Sequence, residues 1–334
     1  PLRECRGCVP LAYHRWVSAR ERTLVSVIMP AYNAGPYLRP AVASVLSQTH
    51  RRLELLIVDD GSTDGSVASV ASIADPRIRV VRQANAGKSA AMNRGLEEAT
   101  GDFYAVHDAD DLSKPTRIER QLCHLIENPS LAGVFCGWDI ILDGRPTAPQ
   151  HRFKDAEECR RDLDALRIPT HDGTPMYRRE HVATLRYDER YAIGETIDYL
   201  LRSSEAGGRY EVLGECLFSY RILPESLCRD DPAARDALVE RVHDEARRRR
   251  GLPRAAHAPR RPRSRYAARD NNLAAYFMES VVDQRAAGDR AGAITTALRC
   301  SSLHPVDPHY HKALVYSIAP RPVVERLRRT AHVP

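Results

Sequence analysis

Three short apolar runs, each stopped by a polar cluster, organise the first third of this chain. Residues 24–29 (LVSVIM) predict a strand ended by Pro30. Residues 53–58 (LELLIV) run apolar without alternation and stop at Asp59-Asp60-Gly61-Ser62. Residues 103–106 (FYAV) stop at His107 and then Asp108, Asp110 and Asp111. Continuous apolar runs suit strands covered on both faces, as in a parallel sheet. Between them, residues 40–49, 65–74 and 89–99 read as helices, the second capped from Ser62–Gly65 and the third followed by Gly101. Residues 78–82 supply a further strand. The β-α-β-α-β-α-β rhythm predicts an α/β, mostly parallel, doubly wound sheet.

The pattern changes after Pro115. Residues 116–127 predict a helix and 132–138 a strand. Residues 144–175, with several Pro and Gly, read as irregular. A strand over 174–177, a helix containing 199–205 and a closing strand at 218–222 follow. Residues 266–300 predict a pair of helices packed on the main domain. The resulting division is an N-terminal extension (1–23), a first half-domain (24–115), a second (116–230), an Arg/Pro-rich linker (231–265) and a helical region (266–334).

Composition adds little to this picture and removes several classes. No stretch approaches the roughly 18 apolar residues of a membrane span, and the first 20 residues lack a signal-type apolar core, so a cytoplasmic protein is expected. Of eight cysteines, Cys123, Cys136, Cys159, Cys216 and Cys300 read as reduced core residues. Cys5-x-x-Cys8 lacks the second ligand pair of a zinc site. The net charge of +6 concentrates in Arg247–Arg265. That stretch has no aromatic interleaving, so nucleic acid is not an expected partner. It reads as a solvated helix end and linker, with peripheral contact to an anionic membrane as its functional alternative.

The chemistry gathers where the strands end. Three strand ends supplying polar groups is the arrangement in which open α/β sheets bind ligands. Carboxylates spaced as Asp108, Asp110 and Asp111 suit a hard cation, Mg²⁺ or Mn²⁺, held together with ligand phosphates. A dehalogenase-like phosphatase also uses an Asp-x-Asp after a strand, but it wants Thr or Val where Asp111 stands, and it leaves the other two turns unexplained.

The stretches VSVIMPAYNAGPYLRPAVASVLSQT, LELLIVDDGSTDGS and NAGKSAAMNRGLEEATGDFYAVHDADD together resemble glycosyltransferase family 2 over about 90 contiguous residues, with a looser likeness to about residue 225. The resemblance implies a GT-A fold, a nucleotide-sugar donor (a UDP-sugar first, with thymidine and guanosine donors open), a divalent cation and inversion at the anomeric carbon. It implies nucleotide contacts from Pro30, Tyr32, Asn33, Asp59, Asp60, Lys88, Asp108, Asp110 and Arg221. Asp111, with Asp110 beside it, matches the metal ligand. In AIGETIDYLLRS, Glu195 stands where the family places its general base, with Asp198 one turn on as the second candidate; Thr196 replaces an acid common there. His171 and Asp172 match the acceptor side, and Leu223 stands where His is common. The acceptor class stays open among a glycan, a glycolipid and a small natural product. A catalytically impaired relative that keeps donor binding, and a binder of anionic surfaces or nucleic acid through the Arg-rich segment, are the alternatives.

Overall fold

The computed structural model describes residues 22–142, 144–223, 232–254, 271–286, 288–303, 308–320 and 322. The N-terminal extension through residue 21, with Cys5 and Cys8, and residues 255–270 of the Arg-rich segment lie outside them. A nine-stranded sheet runs in the order β3-β2-β1-β4-β8-β6-β9-β5, with β7 paired to β6. Its first part is β1 (Val25–Ala31), β2 (Leu53–Asp59), β3 (Ile78–Arg82) and β4 (Phe103–Val106), all parallel. The helices between them are α1 (Leu38–Leu46), α2 (Ser66–Ala71) and α3 (Lys88–Glu98). All seven residues of β2 are buried, which is why its sequence does not alternate. Val25, Val27 and Met29 enter one core and Ile28 the other, as the two-residue period of a strand requires.

The first strand does not end at Pro30; it continues to Ala31. The Asp60 N–H donates to the Ala31 carbonyl, so Ala31 faces β2. Pro30 therefore faces the β4 side, where pairing has already stopped at Ile28–Val106. A residue with no N–H costs no ladder bond there.

The second part departs from the parallel pattern. β5 (Leu112–Ser113), β6 (Gly133–Leu142), β7 (Arg145–Gln150), β8 (Met176–Arg178) and β9 (Tyr210–Arg221) pair antiparallel except for β6–β9. Residues 144–175 are not irregular. They hold β7 and helix α5 (Ala156–Asp164), whose first turn is capped by Asp155 accepting from the Glu158 N–H at 2.8 Å. Pro146 and Pro149, two of the residues that suggested a loop, sit in the edge strand β7, where Pro is tolerated.

Helix α4 (Arg117–Glu127) joins the two parts. Its Arg117 is fully buried and donates to the carbonyls of Val106 (2.9 Å) and Gly173 (3.3 Å), while the Gln121 amide donates to those of Val134 and Thr174. These bonds satisfy strand-end carbonyls that would otherwise be buried without partners. A short α6 (Arg179–Val182) and then α7 (Glu195–Glu205) and α8 (Pro232–Arg249) follow. The pair expected over 266–300 is present as α9 (Asn271–Ala286) and α10 (Arg290–Leu303), and among the described residues a further helix, α11 (Pro308–Ile318), follows it. Helix α9 packs on β7, with Gln150 donating to the Tyr276 carbonyl and Ser280 to that of Pro149.

Candidate active site

A cleft of about 1680 Å³ opens at the C-terminal ends of β1, β2 and β4 and extends across α7 to α9. At one end stand Pro30, Tyr32, Asn33 and Asp60. Tyr32 is 55% exposed, which is unusual for an aromatic ring unless something covers it. Asn33 adopts a φ of 48°, and its side chain accepts from the Thr63 N–H at 2.8 Å, so the first two strand-end loops are tied together. Asp60 is buried and accepts from the Gln83 amide and from the Ala86 and Gly87 N–H groups, each at 2.8 Å. It thereby fixes the loop that starts α3 and aims Lys88. Asp59 does not line the cleft; its carboxylate accepts from the Ser62 N–H at 2.9 Å and holds the turn.

The middle of the cleft carries the charge. Lys88 Nζ lies 2.8 Å from Asp108 and 3.4 Å from Glu195, joining the acidic strand end to the first residue of α7. Asp110 lines the cleft, and burial, then its neighbour Asp108, push its carboxyl up to about 6. Asp111 faces inward instead. It is fully buried and accepts from the Arg221 N–H at 2.7 Å, and its second oxygen has no partner. Burial, followed by Asp110 and Asp108, pushes its carboxyl well up. Asp111 is thus buried outside the cleft lining with one oxygen unpartnered, and Asp110 is the acid of the pair that lines the cleft. Arg221 does not line the cleft either. Its Nε donates to the Asp110 carbonyl and its guanidinium covers the Tyr37 ring at 5.0 Å, so it braces the acidic loop.

Gly194 precedes α7 with a φ of 84°, a left-handed turn that places Glu195 at the cleft. The Glu195 side chain is 7% exposed, and burial raises its pKa; Asp172 and Asp108 add to this while Lys88 opposes it. Asp198, the second base candidate, does not line the cleft. It is buried outside the cleft, 2.7 Å from Arg202 and 3.1 Å from Arg249. Those pairs tie α7 to α8.

His171 and Asp172 both line the cleft. His171 Nδ1 accepts from the Gly173 N–H, and its ring lies between Trp138 (4.7 Å) and Tyr220 (4.6 Å). Burial lowers its pKa. Trp138, Tyr220 and, from α9, Tyr276 and Glu279 also line this end, and none was singled out from the sequence. Trp138 ended a predicted strand and was in that sense findable. Tyr276 lies 138 positions further on and carries no local mark.

Nor is the Arg-rich helix end a free basic patch. Arg249 and Arg250 each lie 2.8 Å from Glu205, Arg248 pairs with Glu245 and Arg247 with Asp244. No helix among the described residues is long and apolar enough to cross a membrane.

A parallel sheet with polar strand ends, an antiparallel extension and a helix-borne acid across the cleft define a GT-A glycosyltransferase. S. aureus TarS 1-349 in complex with UDP-GlcNAc shares the fold, with a TM-score of 0.55 at 18% identity over 92% of this chain and 91% of that one. The family model described as glycosyl transferase family 2 matches residues 26–186. TuaG of Bacillus subtilis (strain 168), named for teichuronic acid biosynthesis, is 35% identical over 62% of this chain and 82% of its own length. ExoO of Rhizobium meliloti (strain 1021), named for succinoglycan biosynthesis, is 33% identical over 61% of this chain and 62% of its own. The chain belongs to glycosyltransferase family 2.

Proposed function

We propose that this chain moves a sugar from a nucleoside-diphosphate sugar, a UDP-sugar first, to an acceptor hydroxyl, with inversion and with Glu195 as the base. The observation that carries this reading is the Lys88 bridge: one ammonium contacts both the acid of the donor strand and a buried, proton-avid carboxylate across the cleft. The donor would lie with its base against Tyr32 and Asp60 and its diphosphate toward Asp110. Glu195 takes the proton of the acceptor hydroxyl. The acceptor oxygen then bonds to the anomeric carbon as the bond from that carbon to the diphosphate oxygen breaks, and the nucleoside diphosphate leaves with the electron pair. The solved complexes of TarS, with UDP and with UDP-GlcNAc, support a uridine donor.

The residues fit a cation held by a single carboxylate. Asp110 reaches the cleft and holds its proton more tightly than an ordinary aspartate, as a carboxylate awaiting positive charge would. Among the described residues no group of three or more ligating side chains gathers, so the remaining ligands would be phosphates and water, as magnesium prefers. Manganese or magnesium bound there would offset charge on the departing diphosphate.

Calorimetric titration of UDP, GDP and dTDP, with Mn²⁺ and with EDTA, tests this. One nucleotide should bind in a metal-dependent way, and Asp110→Ala should weaken it at least about tenfold while Asp111→Asn retains metal dependence. Equal binding in EDTA would remove the metal from the reading, and no binding by any nucleotide would remove the donor site.

A further inference from the structure

The cleft is larger than one donor needs. Small-molecule sites typically enclose about 300–1,000 Å³, and this one holds about 1680 Å³. The excess lies beyond Glu195, between the middle of β6, the loop before α5 and helix α9. Two kinds of side chain face it. Trp138, Tyr220 and Tyr276 form an aromatic wall, with Trp138 6.3 Å from Tyr220 and 5.0 Å from Tyr276. Glu279 and Asp283 project from successive turns of α9. Glu279 is exposed to the cleft, yet the surrounding protein and Asp283 push its carboxyl up to about 7.

Among the described residues, the cations lining this arm each have a carboxylate neighbour. Arg152 lies 2.7 Å from Glu158, Lys154 2.7 Å and Arg167 2.9 Å from Asp162, Arg161 3.8 Å from Glu157 and Arg235 2.7 Å from Asp236. An acceptor rich in phosphate or carboxylate would meet Asp172, Glu279 and Asp283, while each of these described cations already has a carboxylate within 4 Å. An uncharged sugar chain suits the lining: pyranose C–H faces pack on aromatic rings, and carboxyl groups accept from sugar hydroxyls.

We propose that this arm is an acceptor subsite for an uncharged oligosaccharide of more than one ring, whose wall is supplied by helix α9 from the C-terminal region. The inference rests on the transfer reading of the same cleft. A printed array of neutral and acidic glycans, probed with the full chain in the presence of UDP and Mn²⁺, tests it. Neutral glycans should be retained, and solution titration of the strongest of them should weaken about tenfold or more in Tyr276→Ala and several-fold in Glu279→Gln. UDP binding, measured on the same samples, should be unchanged in both variants. Retention confined to acidic glycans, no retention while UDP binds, or unchanged glycan affinity in both variants would overturn the subsite. Loss of UDP binding by the unaltered chain would instead strike the donor reading. Tyr276→Phe, which keeps the ring, should retain binding and so separates stacking from misfolding.

Discussion

At the scale of single residues, the site separates acids that sequence places side by side. Asp110 and Asp111 are neighbours, as are Glu195 and Asp198 one turn apart, yet in each pair one lines the cleft and the other is buried outside its lining. This difference makes a paired prediction. Glu195→Gln should lower kcat by about 10²–10⁴-fold, the usual worth of a general base, with little change in donor KM. Asp198→Ala should instead cost about 3 kcal/mol of stability, because it strips a buried carboxylate from Arg202 and Arg249. Thermal unfolding and initial rates on both variants decide the assignment; a stable but inactive Asp198→Ala would reverse it. The pH profile offers a second check. Glu195 must be ionised to accept a proton, and its pKa is raised above 4.5. The acid limb of kcat should therefore lie above the ordinary glutamate range. Lys88 is the group that pulls this pKa down, so Lys88→Met should move the limb to still higher pH. A limb that stays put would mean that Lys88 serves only Asp108.

At the scale of elements, the legible parts were those whose burial is uniform. β2 and β4 could be bounded within a residue because a strand covered on both faces reads as an unbroken apolar run. β7 and α5 escaped because an edge strand may carry Pro, and because α5 is a mostly polar helix on the surface. Close packing also limits what these elements tolerate. Gly95 in α3 lies against β1, where an added Cβ would sit 2.3 Å from Ile28 Cγ2. Gly95→Ala improves helix propensity, yet should destabilise the protein by about 1–3 kcal/mol through overpacking. A rise in the midpoint of denaturant unfolding would show that α3 can move off the sheet. Such movement would also shift Lys88, which stands on the same helix.

At the scale of the whole molecule, a fully buried histidine links acidity to folding. His107 is fully buried, its Nδ1 donates to the Asp108 carbonyl and its Nε2 lacks a partner. Burial, then Arg117, lowers its pKa to about 3 from 6.5. The unfolded chain therefore takes up this proton first. The stabilisation is complete above about pH 6.5 and is lost as pH falls from there toward 3. Denaturant unfolding across that window should show His107→Asn losing less stability on acidification than the unaltered chain; parallel curves would place the acid sensitivity elsewhere.

The sequence by itself determined the donor half of the fold and the positions of its strand-end acids. Both are local: an apolar run sets a buried strand, and polar residues that follow it must emerge where the strand emerges. The family likeness rests on those same contiguous motifs. Only the tertiary structure decided which acid of each pair lines the cleft, that Arg221 and Asp198 stand outside its lining, and that α9 supplies a wall more than a hundred residues from Trp138. Side-chain direction at a turn depends on the elements packed around it, and those come from far along the chain.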